Sequence, residues 1–224
     1  AAQLFLGAVT DGMMGGGFLY TNKESISIGV VVGMRAMKAD GREIESHQLL
    51  ERFRELPQIK PLVAGGTVAE YSAHAVPEGG IAKVPRLYGD GYVLAGDAAG
   101  LSLNALVTVR GMDFAIASGF CAAQAVLKAK EAGDFSAAGL ASYEAALRDS
   151  FVLRDLETAR AYPRFMEVPR LFRHYPTAVS RLFGDVFTIG PGPTPPLVKK
   201  AWKGVKRDFL NVPTLQDAWR ARKL

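Results

Sequence analysis

The chain has 224 residues, is 49% hydrophobic and 22% charged, and carries a formal net charge of +5. That much apolar content with so even a mix of charge excludes a disordered tract and is ample for a packed core. A single cysteine, Cys121, excludes a disulfide scaffold and a self-contained four-cysteine iron–sulfur site or zinc ribbon, and a lone thiol suits a reducing compartment, so a cytoplasmic location is expected.

Residues 3–6, 18–20 and 25–32 read as strands, β-branched or aromatic, with clear alternation in the last, and polar Asn22-Lys23-Glu24 suits a hairpin connection. The chain opens inside the apolar run Leu4-Phe5-Leu6 without an initiator methionine, as a cut through a larger protein would. Leu49, Leu50 and Phe53 recur at helical spacing and predict a helix over 46–56, ended by Pro57. Gly65-Gly66 introduces an expected strand at 67–75. A tight turn at 87–91 leads into a short buried strand at 92–95 and the loop Gly96-Asp97-Ala98-Ala99-Gly100. A helix rich in small residues is predicted from near Gly111 to about Ala132, and a second from about Ser136 to Ala161, with Pro163 and Pro169 breaking the pattern. Shorter helices are expected at 177–188, 195–207 and 214–222, after the stiff proline-rich linker 190–196. The apolar stretches 28–34 and 114–127 are too short or too polar to span a bilayer.

Charge is uneven. Lys199, Lys200, Lys203, Lys206, Arg207, Arg220, Arg222 and Lys223 face only Asp208 and Asp217, which makes residues 199–224 +6 and leaves the rest at −1. No nucleic-acid partner is expected for so neutral a body, whereas a basic terminal segment can meet acidic lipid or an acidic protein.

The segment 92–119 carries the chemistry. Asp97 would sit just past the end of a strand, where open α/β sheets place ligands, and its carboxylate can accept from a sugar-alcohol hydroxyl such as the ribityl chain of a flavin. Ala98, Ala99 and Gly100 keep bulk out of the way. The helix opening at Arg110-Gly111-Met112-Asp113 presents unpaired N–H groups and the positive end of its dipole, which favours the negative charge a reduced flavin gains at its N1–C2 edge. Gly-Asp alone is also an ordinary turn, with the acid capping nearby N–H groups; the whole order, strand through helix, is what favours a flavin.

Those residues, with Ala115-Ile116 and Ser118-Gly119, resemble the second FAD-binding motif of FixC-type flavoproteins, relatives of electron-transfer flavoprotein:quinone oxidoreductase. Gly15-Gly16-Gly17-Phe18-Leu19-Tyr20-Thr21-Asn22 is similar to that family's glycine hairpin. Gly65-Gly66, Glu70-Tyr71, Glu78-Gly79-Gly80 and residues 151–164 follow in matching order. The resemblance runs from about residue 4 to 175 and weakens beyond 190. It implies an α/β fold with mixed α+β character, the C-terminal portion of a glutathione-reductase-like FAD-binding flavoprotein with a mixed β-sheet on its acceptor side. Residues 1–86 would form the acceptor or quinone-side domain, 87–135 the segment returning to the FAD-binding domain, and 136–224 a helical region with the basic tail. The Gly-x-Gly-x-x-Gly turn with which such proteins begin is absent here, so the chain alone should hold FAD weakly or not at all.

The resemblance further implies an oxidoreductase passing electrons from an electron-transfer flavoprotein to a ferredoxin-like iron–sulfur protein or a quinone. Cofactor contacts would come from Gly96, Asp97, Ala98, Ala99, Gly100, Arg110, Gly111, Met112 and Asp113. Gly15 and Gly16 would line the quinone pocket, flanked by Met13, Met14, Phe18 and Leu19; a β-bulge or strand crossing would use the same glycines. No iron–sulfur cluster belongs to this chain, and no general acid or base is assigned, because a flavin carries the chemistry. A geranylgeranyl-reductase-like or hydroxylase-like FAD enzyme, or a truncated docking module, would share the Gly-Asp segment. The glycine hairpin and basic tail together suggest peripheral attachment at the cytoplasmic membrane face. His47, His74 and His174 share no metal-ligand spacing, Ser102 and Ser118 lack a nucleophile elbow, and Cys121 reads as a packing residue. Arg154, Asp155, Glu157 and Arg160 read as a solvated helix face, with Glu157 and Arg160 paired.

Overall fold

A computed structural model describes residues 1–41, 43–106 and 108–222; Lys223, counted in the basic tail, lies outside them. The chain divides into two units, one from residues 1–71 and 167–220, the other from residues 72–166 joined by 221 and 222.

In the first unit, strands β1 (Ala2–Phe5), β2 (Gly15–Thr21) and β3 (Ile26–Val32) form an antiparallel sheet in that order, with Phe5 opposite Gly17 and Gly15 opposite Val32. Alternation along β2 sends Gly15, Gly17 and Leu19 inward, as a period of two requires. Helices α1 (Met34–Asp40), α2 (Ser46–Arg54) and α3 (Lys60–Val63) follow. A capping box opens α2: the Glu45 carboxylate takes the Gln48 N–H, and the Glu45 N–H donates to Gln48 Oε1 at 3.2 Å. Leu49 and Phe53 then reach the core on one face, and Phe53 joins Val9, Leu19 and Ile59 in a buried cluster. Fully burying a side chain such as Phe53 contributes about 2–3 kcal/mol.

Residues 66–80, where the sequence passes from the first unit into the second, hold no regular structure. Residues 67–75, expected as a strand, pair with nothing among the described residues, and Val68 and Tyr71 are 71% and 62% exposed. Their β-branched pattern finds no sheet on which to bury one face. Two-residue hairpins β4 (Tyr88–Gly89) with β5 (Tyr92–Val93) and β6 (Leu103–Asn104) with β7 (Val109–Arg110) frame the next stretch. The strand expected at 92–95 is thus shorter than anticipated and half-exposed. All pairings among the described residues are antiparallel, and these small sheets with the helices give the expected mixed α/β character.

Helix α4 (Met112–Ala132) runs from Gly111 to Gly133, as expected. The helix expected over 136–161 is three pieces: α5 (Ala137–Leu140), α6 (Ser142–Asp149) and α7 (Phe151–Thr158). Ser150 makes the main break. Its backbone is extended, its hydroxyl donates to the Leu147 carbonyl at 2.8 Å, and it accepts the Val152 N–H at 3.1 Å, capping α7. The core between these helices holds Phe114, Ala122, Ala125, Tyr143, Leu147, Val152 and Leu156.

Pro163 and Pro169 begin helices rather than ending one: α8 (Tyr162–Met166) holds Pro163 in its first turn, and Pro169 caps α9 (Arg170–Arg173), where a missing N–H costs nothing. The first unit closes with α10 (Tyr175–Phe187), α11 (Leu197–Asp208) and α12 (Val212–Ala221). Buried Asp217 ties this region together, accepting from Arg170 at 2.8 Å, Tyr175 at 2.9 Å and Arg220 at 3.2 Å.

Candidate functional site

The β4–β5 hairpin delivers the chain to Ala95, and a 3₁₀ turn, Gly96–Ala99, carries Asp97. Gly96 sits at φ 58°, the left-handed region that costs a side chain most, and a Cβ there would lie 3.2 Å from that of Ala115 on α4. The turn therefore packs directly on the helix. Ala99 and Leu101 are fully buried and anchor its far side, while Asp97 and Ala98 face outward.

Two buried side chains hold the approach to this turn. The Gly96 N–H donates to Ser118 Oγ at 3.0 Å, and Ser118 in turn donates to the Ala115 carbonyl at 3.2 Å. The Tyr143 hydroxyl donates to the Leu94 carbonyl at 2.5 Å, and burial pushes its pKa up to about 12. Cys121 lies buried in the same core, as a packing residue would.

Asp97 itself makes no side-chain hydrogen bond or ion pair with the described residues, so it is not the backbone cap that an ordinary Gly-Asp turn would supply. Its Oδ1 lies 3.9 Å from where a Cβ on Gly111 would stand, at the mouth of α4. That helix has no side-chain cap; Gly111 supplies only its carbonyl, to Ala115 N–H at 2.7 Å. The first-turn amides and the acid thus share one small region, donors beside an acceptor.

Arg110 is engaged elsewhere. Its Nε donates to Asp113 at 2.7 Å and its Nη1 to Asp155 at 2.5 Å. Its guanidinium carbon stands 4.5 Å from the Phe114 ring centre and 5.5 Å from that of Phe151. The Asp155 carboxylate foremost, then Asp113, raise the Arg110 pKa despite desolvation. Asp155, expected on a solvated face, instead ties α7 to the start of α4, whereas Arg160 and Glu157 pair at 2.6 Å as expected. Met112 points out, 80% exposed. On the loop before α4, the Asn104 amide donates to Glu78 at 3.1 Å, and Ser102 donates to the Pro77 carbonyl at 2.5 Å, so the Glu78-Gly79-Gly80 segment packs beside β6.

In the first unit, Gly15 and Gly16 serve close packing of the chain on itself. A Cβ at Gly15, whose φ is 141°, would lie 2.1 Å from the Val31 carbonyl oxygen, and one at Gly16 would lie 2.6 Å from that of Phe5. Met13 and Leu19, expected to flank a ligand or a membrane, are buried in the unit's interior.

In the sequence Ser118 and Tyr143 carry no positioning role and Asp155 reads as part of a solvated face. Ser118 had a visible signal, a hydroxyl on the small-residue face of α4; the Asp155 contact crosses 45 residues and had none.

Residues 162–224 match the ETF-QO/FixC family C-terminal domain. The chain is 50% identical over 199 residues to the Escherichia coli K12 protein named "Probable electron transfer flavoprotein-quinone oxidoreductase YdiS", covering 89% of this chain and 46% of that protein. It is 45% identical over 214 residues to Escherichia coli K12 FixC, covering 95% and 49%, and 42% identical over 183 residues to Azotobacter vinelandii FixC, covering 81% and 42%. Most of this chain is thus similar to proteins of the ETF-QO/FixC family. The names of these relatives place the family among electron-transfer oxidoreductases. Family likeness extends through the basic tail, where the sequence resemblance weakened. The chain spans about half the length of the curated relatives it matches.

Proposed function

We propose that this chain is part of an FAD-dependent electron-transfer oxidoreductase and that Asp97 and the tip of α4 form one side of its flavin seat. The carrying observation is the free, outward Asp97 carboxylate beside the uncapped start of α4. An acceptor next to unpaired N–H donors fits a ligand offering both a hydroxyl and an electron-rich edge. Asp97 would take a ribityl hydroxyl, and the amides of Gly111, Met112 and Asp113 would face the edge that gains negative charge on reduction. Gly96, Ala98, Ala99 and Gly100 leave room for close approach, and Arg110 acts by anchoring the helix start. When bound, FAD supplies the redox chemistry, taking up an electron pair and passing it on.

In this reading residues 87–135 return the chain to the FAD-binding domain and residues 1–86 form the acceptor side, with a quinone passing near Gly15 and Gly16. Residues 136–224 form the helical region. Electrons arrive from an electron-transfer flavoprotein and leave toward a ferredoxin-like iron–sulfur protein or a quinone. Met112, Ile116, Phe120 and Leu127 form an exposed apolar stripe on α4, which suits cover by the further polypeptide that relatives of twice this length carry. The purified full-length polypeptide is expected to show the paired visible absorbance bands of bound flavin, bleached by a reduced electron-transfer flavoprotein. A colourless, folded polypeptide that stays so after FAD is added would refute the proposal.

The tail favours a membrane surface in the cytoplasm as a further partner. No helix among the described residues is long and apolar enough to cross a membrane. Instead Phe183 and Phe187 are exposed on α10, with ring centres 5.9 Å apart, and Trp202 is exposed on α11, which also carries Lys199, Lys203 and Lys206. Aromatic and basic groups together are what an anionic interface attracts. Co-sedimentation with phosphatidylserine-containing vesicles is expected at low salt and should fall sharply at high salt; no sedimentation at low salt would count against it.

A further inference from the structure

We infer that Ser118 and Tyr143 are positioning residues that set where Asp97 stands relative to the tip of α4, an inference that rests on the flavin seat proposed above. The Asp97 carboxylate has no partner among the described residues, so its place follows from its backbone alone. Within the turn, the Gly100 N–H reaches the Asp97 carbonyl at 2.9 Å and the Leu101 N–H reaches the Gly96 carbonyl at 3.1 Å. Those bonds shape the turn but attach it to nothing.

Beside the packing of Ala99 and Leu101 and the Leu94 N–H to Leu87 carbonyl bond at 2.7 Å, side-chain hydrogen bonds attach the approach to the turn through the two buried hydroxyls. Ser118 takes the N–H of Gly96, the residue just before Asp97, and Tyr143 binds the carbonyl of Leu94, two residues before Gly96. Both side chains are fully buried, so neither bond has water as a ready substitute. Ser118 sits seven residues after Gly111 on α4, about two turns into the helix whose first amides face Asp97. The helix that presents the donors therefore also grips the turn that presents the acceptor. Gly96, itself the second attachment point, is in a left-handed conformation, where a glycine can readily move if released. Loss of either hydroxyl should let the acid shift against the helix tip, and small misplacements of a binding group are costly.

The test is a double-mutant cycle on the full-length polypeptide, with Ser118→Ala, Tyr143→Phe and Asp97→Asn alone and combined. FAD affinity is read by fluorescence titration and fold stability by thermal unfolding of the flavin-free protein. Ser118→Ala and Tyr143→Phe are each expected to weaken FAD binding about 10-fold in the natural background. In the Asp97→Asn background each should weaken it less than about 2-fold, because the group being positioned is gone, while the melting shifts stay alike in both backgrounds. A loss of about 10-fold that persists in the Asp97→Asn background would overturn the inference and leave the seat standing, since the hydroxyls would then act on the fold at large. Unchanged FAD affinity in both hydroxyl variants would overturn it as well. If Asp97→Asn binds FAD as tightly as the natural protein, the seat itself fails and takes this inference with it. Should Ser118→Ala not fold, Tyr143→Phe, which keeps the ring and its packing, decides the outcome.

Discussion

Gly15→Ala is expected to destabilise the first unit by about 4 kcal/mol, enough to lower its melting temperature by roughly 10 °C or to prevent folding. Two costs add. The residue sits at φ 141°, which L side chains rarely adopt, and the new Cβ would lie 2.1 Å from the Val31 carbonyl oxygen and 2.9 Å from the Val32 Cα. Both obstacles are backbone, so no rotamer change relieves them; β2 would have to separate from β3. Gly184→Ala is the control: it lies within α10 with open space around it, and there alanine should stabilise by about 0.5–1 kcal/mol. Thermal unfolding followed by circular dichroism separates the two. A Gly15→Ala variant melting with the natural protein would show that β2 and β3 do not approach so closely. The same geometry means that lost quinone activity in Gly15 variants, taken alone, cannot establish a quinone pocket, because the fold would be damaged first.

Arg110→Ala should cost about 2 kcal/mol and loosen the start of α4. Arg110, at the end of β7, bonds Asp113 on α4 and Asp155 on α7 while lying over Phe114 and Phe151. Its removal leaves two carboxylates, each less than half-exposed, facing one another without their shared cation. Arg110→Lys should recover less than half of the loss, because an ammonium cannot bridge two acids and cover a ring at once. In the Arg110→Ala background Asp155→Asn should be neutral or stabilising, since it removes an orphaned charge. Denaturant unfolding of the four variants measures this; a fully additive Asp155→Asn loss would show that the two side chains do not act together.

Strands β1 to β3 were legible because alternation and the polar Asn22-Lys23-Glu24 turn speak locally. Helix α2 was legible from Leu49, Leu50 and Phe53, and α4 from its run of small residues after Gly111. What failed was non-local. Residues 67–75 carry strand-forming side chains but find no partner strand among the described residues, which composition cannot reveal. Ser150 reads as a helix interior until its hydroxyl is seen capping α7. At the candidate site, Asp97 and Gly111 stood out as an acid and a helix start in order. The fate of Arg110 did not, because Asp155 comes from 45 residues away and converts an apparent ligand-binding cation into an internal tie. The glycine hairpin shows the same limit: three glycines announce close approach, and in this fold the approaching atoms include the carbonyl oxygens of Val31 and Phe5.

The most direct test of the account is a flavin titration of the full-length polypeptide with Asp97 intact and with Asp97→Asn. The acid is exposed and free of protein partners, so its loss should leave the melting temperature of the flavin-free protein within about 1 °C, while removal of a charged hydrogen-bond acceptor should weaken FAD binding by about 10- to 100-fold. Equal FAD affinity in the two proteins, with both folded, would contradict it.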